Sequence, residues 1–299
     1  MAVRVSTREE RRPKSKGNLQ RALHRFGRNP LSVAGLSLVL LVIFAAIFAP
    51  WLAPYPEDGR GDAVHFSKTF RPPSWEHPLG TDEVGRDLLS RLLFGARLSL
   101  LLGVVVLTLA VLIGVPLGLL AGYFQGRLEA ILMRVTDVFL AVPPLVLALA
   151  ATVAFERSLF SSMIAISFAW WPWYARLAYG ETLSIKQEDF IQAVEAQGAS
   201  PFYTMLREIL PNMTSPLIVK ITLDMGYAIL TGAILGFLGL GAQPPTPEWG
   251  TIVSSGREYL PDKWWISTFS GLAIFITVLG FNLLGDGLRD FFDVESEGR

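Results

Sequence analysis

No cysteine occurs among the 299 residues, which excludes disulfides and thiolate metal sites and removes any need for an oxidising compartment. Histidine is nearly as scarce. His24, His65 and His77 are scattered without ligand spacing, which argues against a metal centre. Charged residues make up only 17% of the chain against 51% hydrophobic, with a mean hydropathy of +0.42, so an ordinary soluble domain is excluded and a membrane protein indicated. No G-x-x-x-x-G-K-[ST] phosphate loop is present, and no Gly precedes a Lys anywhere, so ATP has no such cradle here. An intramembrane enzyme would need a Ser and His pair, paired Asp residues in spans, or a His and Glu metal motif, and none is found. An ion-gradient transporter, the rival from another class, would need several buried titratable groups and matching broken helices; only Asp224 qualifies as a deep acid.

Long apolar runs are abundant. A helix needs about 20 apolar residues to cross the hydrocarbon core, and six stretches qualify: 31–51, 98–121, 138–155, 159–178, 217–240 and 264–284. The expected fold is therefore all-α and polytopic with six transmembrane helices. Formal charge sums to zero but is uneven, since the first thirty residues carry nine Lys or Arg against two Glu. That basic tail lacks aromatic interleaving and runs straight into an apolar stretch, so it reads as a membrane-orienting signal instead of a nucleic-acid arm. It places both termini in the cytoplasm. The chain divides into a basic tail (1–30), a first span (31–53), an extracytoplasmic loop (54–97), a five-helix core (98–290) and a short tail (291–299). Within the core, the loop at 184–212 is cytoplasmic and that at 241–263 is outside. Arg86, Arg91 and Arg97 oppose this orientation, a conflict relieved if 82–97 lies as an amphipathic helix on the outer surface with its leucines buried.

The 186–212 segment is the polar exception among the spans. Ser184 and Gln187 have capping-box spacing, Gly198 supplies a left-handed stop, Ser200 and Pro201 start a second helix, and Pro211 ends it. Ile191 and Val194 share a face with Phe190 alongside. Such a hairpin suits either lipid headgroups or a groove on another protein.

The spacing of Gln192, Ala193, Val194, Gly198, Leu210 and Pro211 resembles the EAA loop of permease subunits of bacterial ABC importers. Gln192 stands where the family often has Glu, and Glu208 where an aliphatic residue is general. Three longer stretches, HPLGTDEVGRDLLSRLLFGARLSL from His77, FLGLGAQPPTPEWG from Phe237 and GFNLLGDGLRD from Gly280, are similar to the C-type subunit of dipeptide and oligopeptide importers, a group that also contains nickel permeases. The resemblance implies a type I importer permease fold in the inner membrane. It further implies a homologous B-type membrane subunit, two cytoplasmic ATPases that bind the ATP and Mg, and an extracytoplasmic binding protein, with no cofactor in this chain. Gln192, Ala193, Gly198, Ala199, Ser200, Pro201, Leu210 and Pro211 become the residues expected to meet an ATPase. The cargo expected is a di- or oligopeptide, with nickel or another small solute as the alternative. Gly232 and Gly236 depart from the family, where Glu and Ser are usual.

Several residues carry both a structural and a functional reading. Gly114, Gly118 and Gly122 form a stripe for close helix approach or, less simply, a solute path. Arg134 and Asp137 are spaced to pair, as are Lys220 and Asp224. Asp224, Gly232 and the interhelical Asn282 are the candidates for a substrate path or gate. Pro244, Pro245 and Trp249 lie in a stretch that cannot be regular helix, and form either a stiff connector or a rim for the binding protein.

Overall fold

The computed structural model describes residues 18–154 and 156–296. Most of the basic tail lies outside the described residues. Within them the chain is helical with no named strand, and its main elements are α1 (Asn18–Arg28), α2 (Pro30–Ile47), α3 (Leu88–Phe124), α4 (Gly126–Leu140), α5 (Pro144–Val153), α6 (Leu159–Ile185), α7 (Asp189–Ala196), α8 (residues 201–212), α9 (Thr214–Phe237), α10 (Trp249–Arg257) and α11 (Trp264–Ser296).

Four of these, α2, α3, α9 and α11, are long and apolar enough to cross a membrane on their own. The third expected span is broken: α4 and α5 meet at a bend of 85° and qualify only as a pair. Pro143 and Pro144 are the cause, because Pro lacks an amide donor and clashes with the preceding turn. The fourth expected span is α6, whose 27 residues suffice in length. Its run Trp170-Trp171-Pro172-Trp173-Tyr174 makes it less apolar than the other four.

The central packing is α3 against α6. A Cβ on Gly114 would meet Trp171 and Tyr174, and one on Gly118 would meet the Ala175 carbonyl, so the glycine stripe lets two backbones close on each other. Around this pair, α9 packs on α3 and α11, and α11 packs on α2 and α10. One core joins Leu102, Val106, Ile166, Tyr174 and Ile229; a second joins Leu88, Leu92, Trp249, Trp265 and Ile266.

The outer loop corrects one expectation. Residues 82–97 are no separate surface helix, because Asp87 caps a helix that begins at Leu88 and continues unbroken to Phe124. Leu88 and Leu92 are buried by the tryptophans of α10 and α11, so they need no lipid. Arg86 and Arg91 are buried as well, on a shared counter-ion: Asp82 Oδ2 lies 2.7 Å from Arg86 Nε and 3.4 Å from Arg91 Nε. Behind them, Asp87 accepts from Ser90 N at 2.8 Å and contacts His77 Nδ1 at 3.0 Å, while Asp58 accepts from Asp87 N at 2.9 Å.

Further corrections are local. Asp137 pairs with Arg176 of α6 and not with Arg134. The last helix runs past the expected span end at 284, to Ser296.

Candidate functional site

The segment between α6 and α9 forms the expected helical hairpin, though not with the expected start. Ser184 is still inside α6, and α7 begins only at Asp189, behind Glu188, with no side-chain cap. The apolar run of α6 carries its helix through the capping-box position. The turn of the hairpin agrees with its sequence. Gly198 has φ of 86°, its N–H donates to Glu195 O at 2.9 Å, and Ala199 N–H donates to Val194 O at 3.3 Å. This pair of bonds satisfies the carbonyls at the end of α7 and demands a left-handed residue. Ser200 then accepts from Tyr203 N, and Pro201 occupies the first turn of α8.

Pro211 does not end that helix. The stretch Thr204–Ile209 is π-helical, and α-helical geometry resumes over Leu210–Asn212 with Pro211 inside it. Widening the helix just before a proline relieves the clash its ring makes with the preceding turn.

The inner face of the hairpin is bolted to the rest of the chain. Ile191, Met205, Ile209 and Met213 are almost fully buried in the main core. Tyr123, at the end of α3, donates its hydroxyl to Glu195 Oε1 at 2.8 Å, and Lys186 Nζ donates to Tyr123 O at 2.7 Å while lying 4.7 Å from the Tyr123 ring centre. Sequence reading missed Tyr123, Lys186 and Glu195 as anchors. The partners are 63 and 72 positions apart, beyond any local signal.

The outer face is apolar and uncovered. Phe190, Phe202, Tyr203 and Leu206 are exposed, Phe202 at 67%. Between them a concavity of about 390 Å³ is lined by Val194, Gln197, Gly198, Ala199, Ser200 and Tyr203. The hairpin thus brings Gly198, Ala199 and Ser200 to one surface. Gln192, Ala193 and Pro201 are exposed beside it, Leu210 is half-buried, and Pro211 is exposed at the return of the chain. Exposed aromatics around a fixed concavity can receive a side chain of another protein.

The other candidates do not converge. Asp224 is only 5% exposed, and Lys220 Nζ holds both its oxygens, at 3.0 and 2.9 Å. The same ammonium lies 5.6 Å from the Tyr174 ring centre and 5.9 Å from that of Trp173. Lys220 thereby joins α9 to α6. Gly232 faces α3, where a Cβ would run into Leu102, and Asn282 sits half-buried on α11. Pro244 and Pro245 are exposed, with Pro245 O accepting from Arg91 Nη1 at 3.3 Å. Trp249 is not part of an exposed rim: it is 3% exposed and donates its indole N–H to Leu92 O at 2.9 Å. Its large apolar ring is worth more in the outer core than in water. Beside it, Glu248 caps α10 by accepting from Gly250 N and Thr251 N; burial pushes its carboxyl above the ordinary value, opposed by those donors. Among the described residues no group of three or more His, Asp or Glu could hold a metal ion.

Comparison with known proteins gives a consistent result. Residues 114–295 match the family model described as binding-protein-dependent transport system inner membrane component, and residues 17–73 match the N-terminal TM domain of oligopeptide transport permease C. The dipeptide transport system permease protein DppC of Escherichia coli K12 is 48% identical over 282 residues, covering 92% of each chain. The di/tripeptide transport system permease protein DppC of Pseudomonas aeruginosa UCBPP-PA14 is 44% identical over 90% of this chain and 89% of its own length. In fold, the chain is similar to one from inward-facing conformations of the MetNI methionine ABC transporter, with a TM-score of 0.56 at 20% identity, covering 68% of this chain and 95% of that one.

Proposed function

Because this chain belongs to the family of binding-protein-dependent transport system inner membrane components, we propose that it is the multi-pass permease subunit of an importer that moves di- or oligopeptides into the cytoplasm on energy supplied by separate ATPases. The observation that carries this reading is the hairpin, rigid on its inner face and apolar and open on its outer face. It sits where α6 and α9 meet, so a force on it reaches two long helices at once. ATP-driven closure of an ATPase pair displaces the hairpin. The packed helices then rock between inward-facing and outward-facing states.

In this reading the chain holds no nucleotide or metal of its own; ATP and Mg bind to the ATPases. A homologous B-type subunit completes the pathway, and an extracytoplasmic binding protein selects and delivers the solute. The peptide cargo is supported by the two DppC relatives, permeases of a dipeptide and of a di/tripeptide transport system. Both termini and the hairpin are cytoplasmic, as the basic tail requires. Pro244 and Pro245 remain exposed for contact with the binding protein, whereas Trp249 serves as their buried support.

The absence of native cysteine makes the test direct. Single cysteines replacing Gln197 and Ala199 are expected to cross-link to an ATPase and to react with reagents applied from the cytoplasm, while one replacing Pro245 reacts from outside. Labelling of Gln197→Cys from outside intact cells would overturn both orientation and role.

A further inference from the structure

Arg86, Arg91 and Arg97 lead into the apolar run of α3, and the first two are answered inside the chain. Arg86 and Arg91 share Asp82, and Arg91 also donates to Pro245 O. Arg97 is exposed and, among the described residues, forms neither an ion pair nor a side-chain hydrogen bond. Its level is set by the helix. The run 98–121 that follows holds no charged residue, and Tyr123 beyond it is bonded to the hairpin. From Arg97 to Tyr123 is about 39 Å of helix, against about 30 Å for the hydrocarbon core of a bilayer. With the hairpin at one face of the membrane, Arg97 stands at the other, where lipid phosphates lie.

A second arginine shares this place. Arg60 and Arg97 line one cavity of about 540 Å³, walled otherwise by Phe94, Leu98, Leu101 and the 245–247 connector. The turn bearing Arg60 is fixed on both flanks: a Cβ on Gly59 would strike the Phe94 ring, and one on Gly61 would strike Pro245. Arg60 is also exposed and without an ion pair among the described residues, and none of the residues lining the cavity is acidic. Two like charges beside one cavity repel each other, and an anion between them turns the repulsion into attraction. Beyond Arg97 the helix offers an apolar stripe. Leu101, Val104 and Leu112 are exposed at helical spacing on the face that Arg97 begins.

A cationic head at the membrane boundary, continued by an open apolar stripe along a span, has the outline of a phospholipid. We infer that this cavity binds an acidic phospholipid, its phosphate between Arg60 and Arg97 and one acyl chain along Leu101, Val104 and Leu112. Each guanidinium can donate two parallel bonds to phosphate. A lipid with net negative charge is selected over an ethanolamine lipid, because no carboxylate lines the cavity to receive an ammonium group. Bound there, the lipid ties the Arg60 turn and the 245–247 connector to α3. The inference requires that α3 crosses a bilayer and uses neither the cargo nor the ATPases of the permease reading.

The test uses the assembled complex in bilayer discs containing phosphatidylglycerol and phosphatidylethanolamine in equal amounts. A trace of either lipid carries a photoactivatable diazirine in its acyl chain, and labelled residues are mapped after proteolysis. The phosphatidylglycerol probe is expected to label residues 98–112 several-fold more than the phosphatidylethanolamine probe. Arg60→Gln and Arg97→Gln should each cut that labelling about fivefold, the factor that one basic side chain contributes at an anionic lipid surface. Arg97→Lys should keep most of it. A second measurement needs no variant: in the unaltered complex, added unlabelled phosphatidylglycerol should suppress the labelling and phosphatidylethanolamine should not. Equal labelling by the two probes would reduce the stripe to bulk lipid contact and overturn the inference, as would labelling indifferent to both arginines. Cross-linking of Leu101→Cys to a neighbouring membrane subunit, with no lipid label, would show that protein covers the stripe and would also overturn it. Peptide uptake is measured on the same preparations, so a complex that imports peptide yet shows no lipid preference removes this site and leaves the permease reading standing.

Discussion

At Gly198 the constraint is conformational and not steric. No atom lies within 4 Å of where its Cβ would sit, yet φ is 86°. A side chain would therefore fit in space but not on the backbone, and a β-branched one should cost about 1 kcal/mol or more. Gly198→Val is expected to leave the subunit in the membrane while redirecting α8, so that ATP hydrolysis continues and uptake falls; normal transport per ATP would show that the turn does not aim the hairpin. Tyr123 acts from the other side. Tyr123→Phe removes the bond to Glu195 and should lower the local opening free energy of α7 by about 1.5 kcal/mol, visible as roughly tenfold faster amide exchange across 189–197. Unchanged exchange would mean that the buried apolar residues hold the hairpin without the hydroxyl. Of this pair, only Gly198 was legible in the sequence, because a turn glycine is read from its neighbours. Tyr123 meets Glu195 only after α3 and α6 have packed.

Among the elements, the outer loop and the head of α3 show how tertiary pairing revises a local pattern. The leucines and arginines of 86–97 alternate as in a surface helix, but Asp82, from the turn before, pairs with both Arg86 and Arg91 inside the protein, and Glu83 lies beside Arg86. Asp82→Ala should strand two buried guanidinium groups and destabilise the outer end by about 3 kcal/mol or more. Thermal unfolding of the purified complex checks this, and replacing Arg91 by Met in the same chain should recover part of the loss. Equal stability of the single variant and the parent would place these arginines in contact with water. The break between α4 and α5 falls at two consecutive prolines, although hydropathy alone carries the expected span 138–155 straight through them. The π-helical stretch of α8 has no such marker. Its sequence differs little from that of a plain helix, and the wider turn answers Pro211 together with the burial of Met205 and Ile209.

For the whole molecule, the decisive question is where the energy enters. Collapse of the ion gradient at constant ATP should leave uptake by the reconstituted complex unchanged, and omission of the ATPases should abolish it. Transport by this chain alone in vesicles, driven by a gradient, would favour the rival class. Among the described residues Asp224 is the one acid buried within the long apolar helices, and it is already held by Lys220, so it cannot serve as a free proton carrier without breaking that pair.

The membrane character, the helical class, the order of the spans and the glycine turn of the hairpin were determined by the sequence itself. Each depends on residues adjacent or one turn apart, where hydropathy and backbone preference act directly. Tertiary structure decided the rest: that Trp249 supports the outer rim from within, that Gly232 packs on Leu102, that Asp137 pairs with Arg176, and that Arg60 and Arg97 share a cavity. Those outcomes depend on which helix faces which. Neighbouring helices are matched by shape and by the pairing of buried polar groups over separations of tens to hundreds of residues, and no local pattern encodes them.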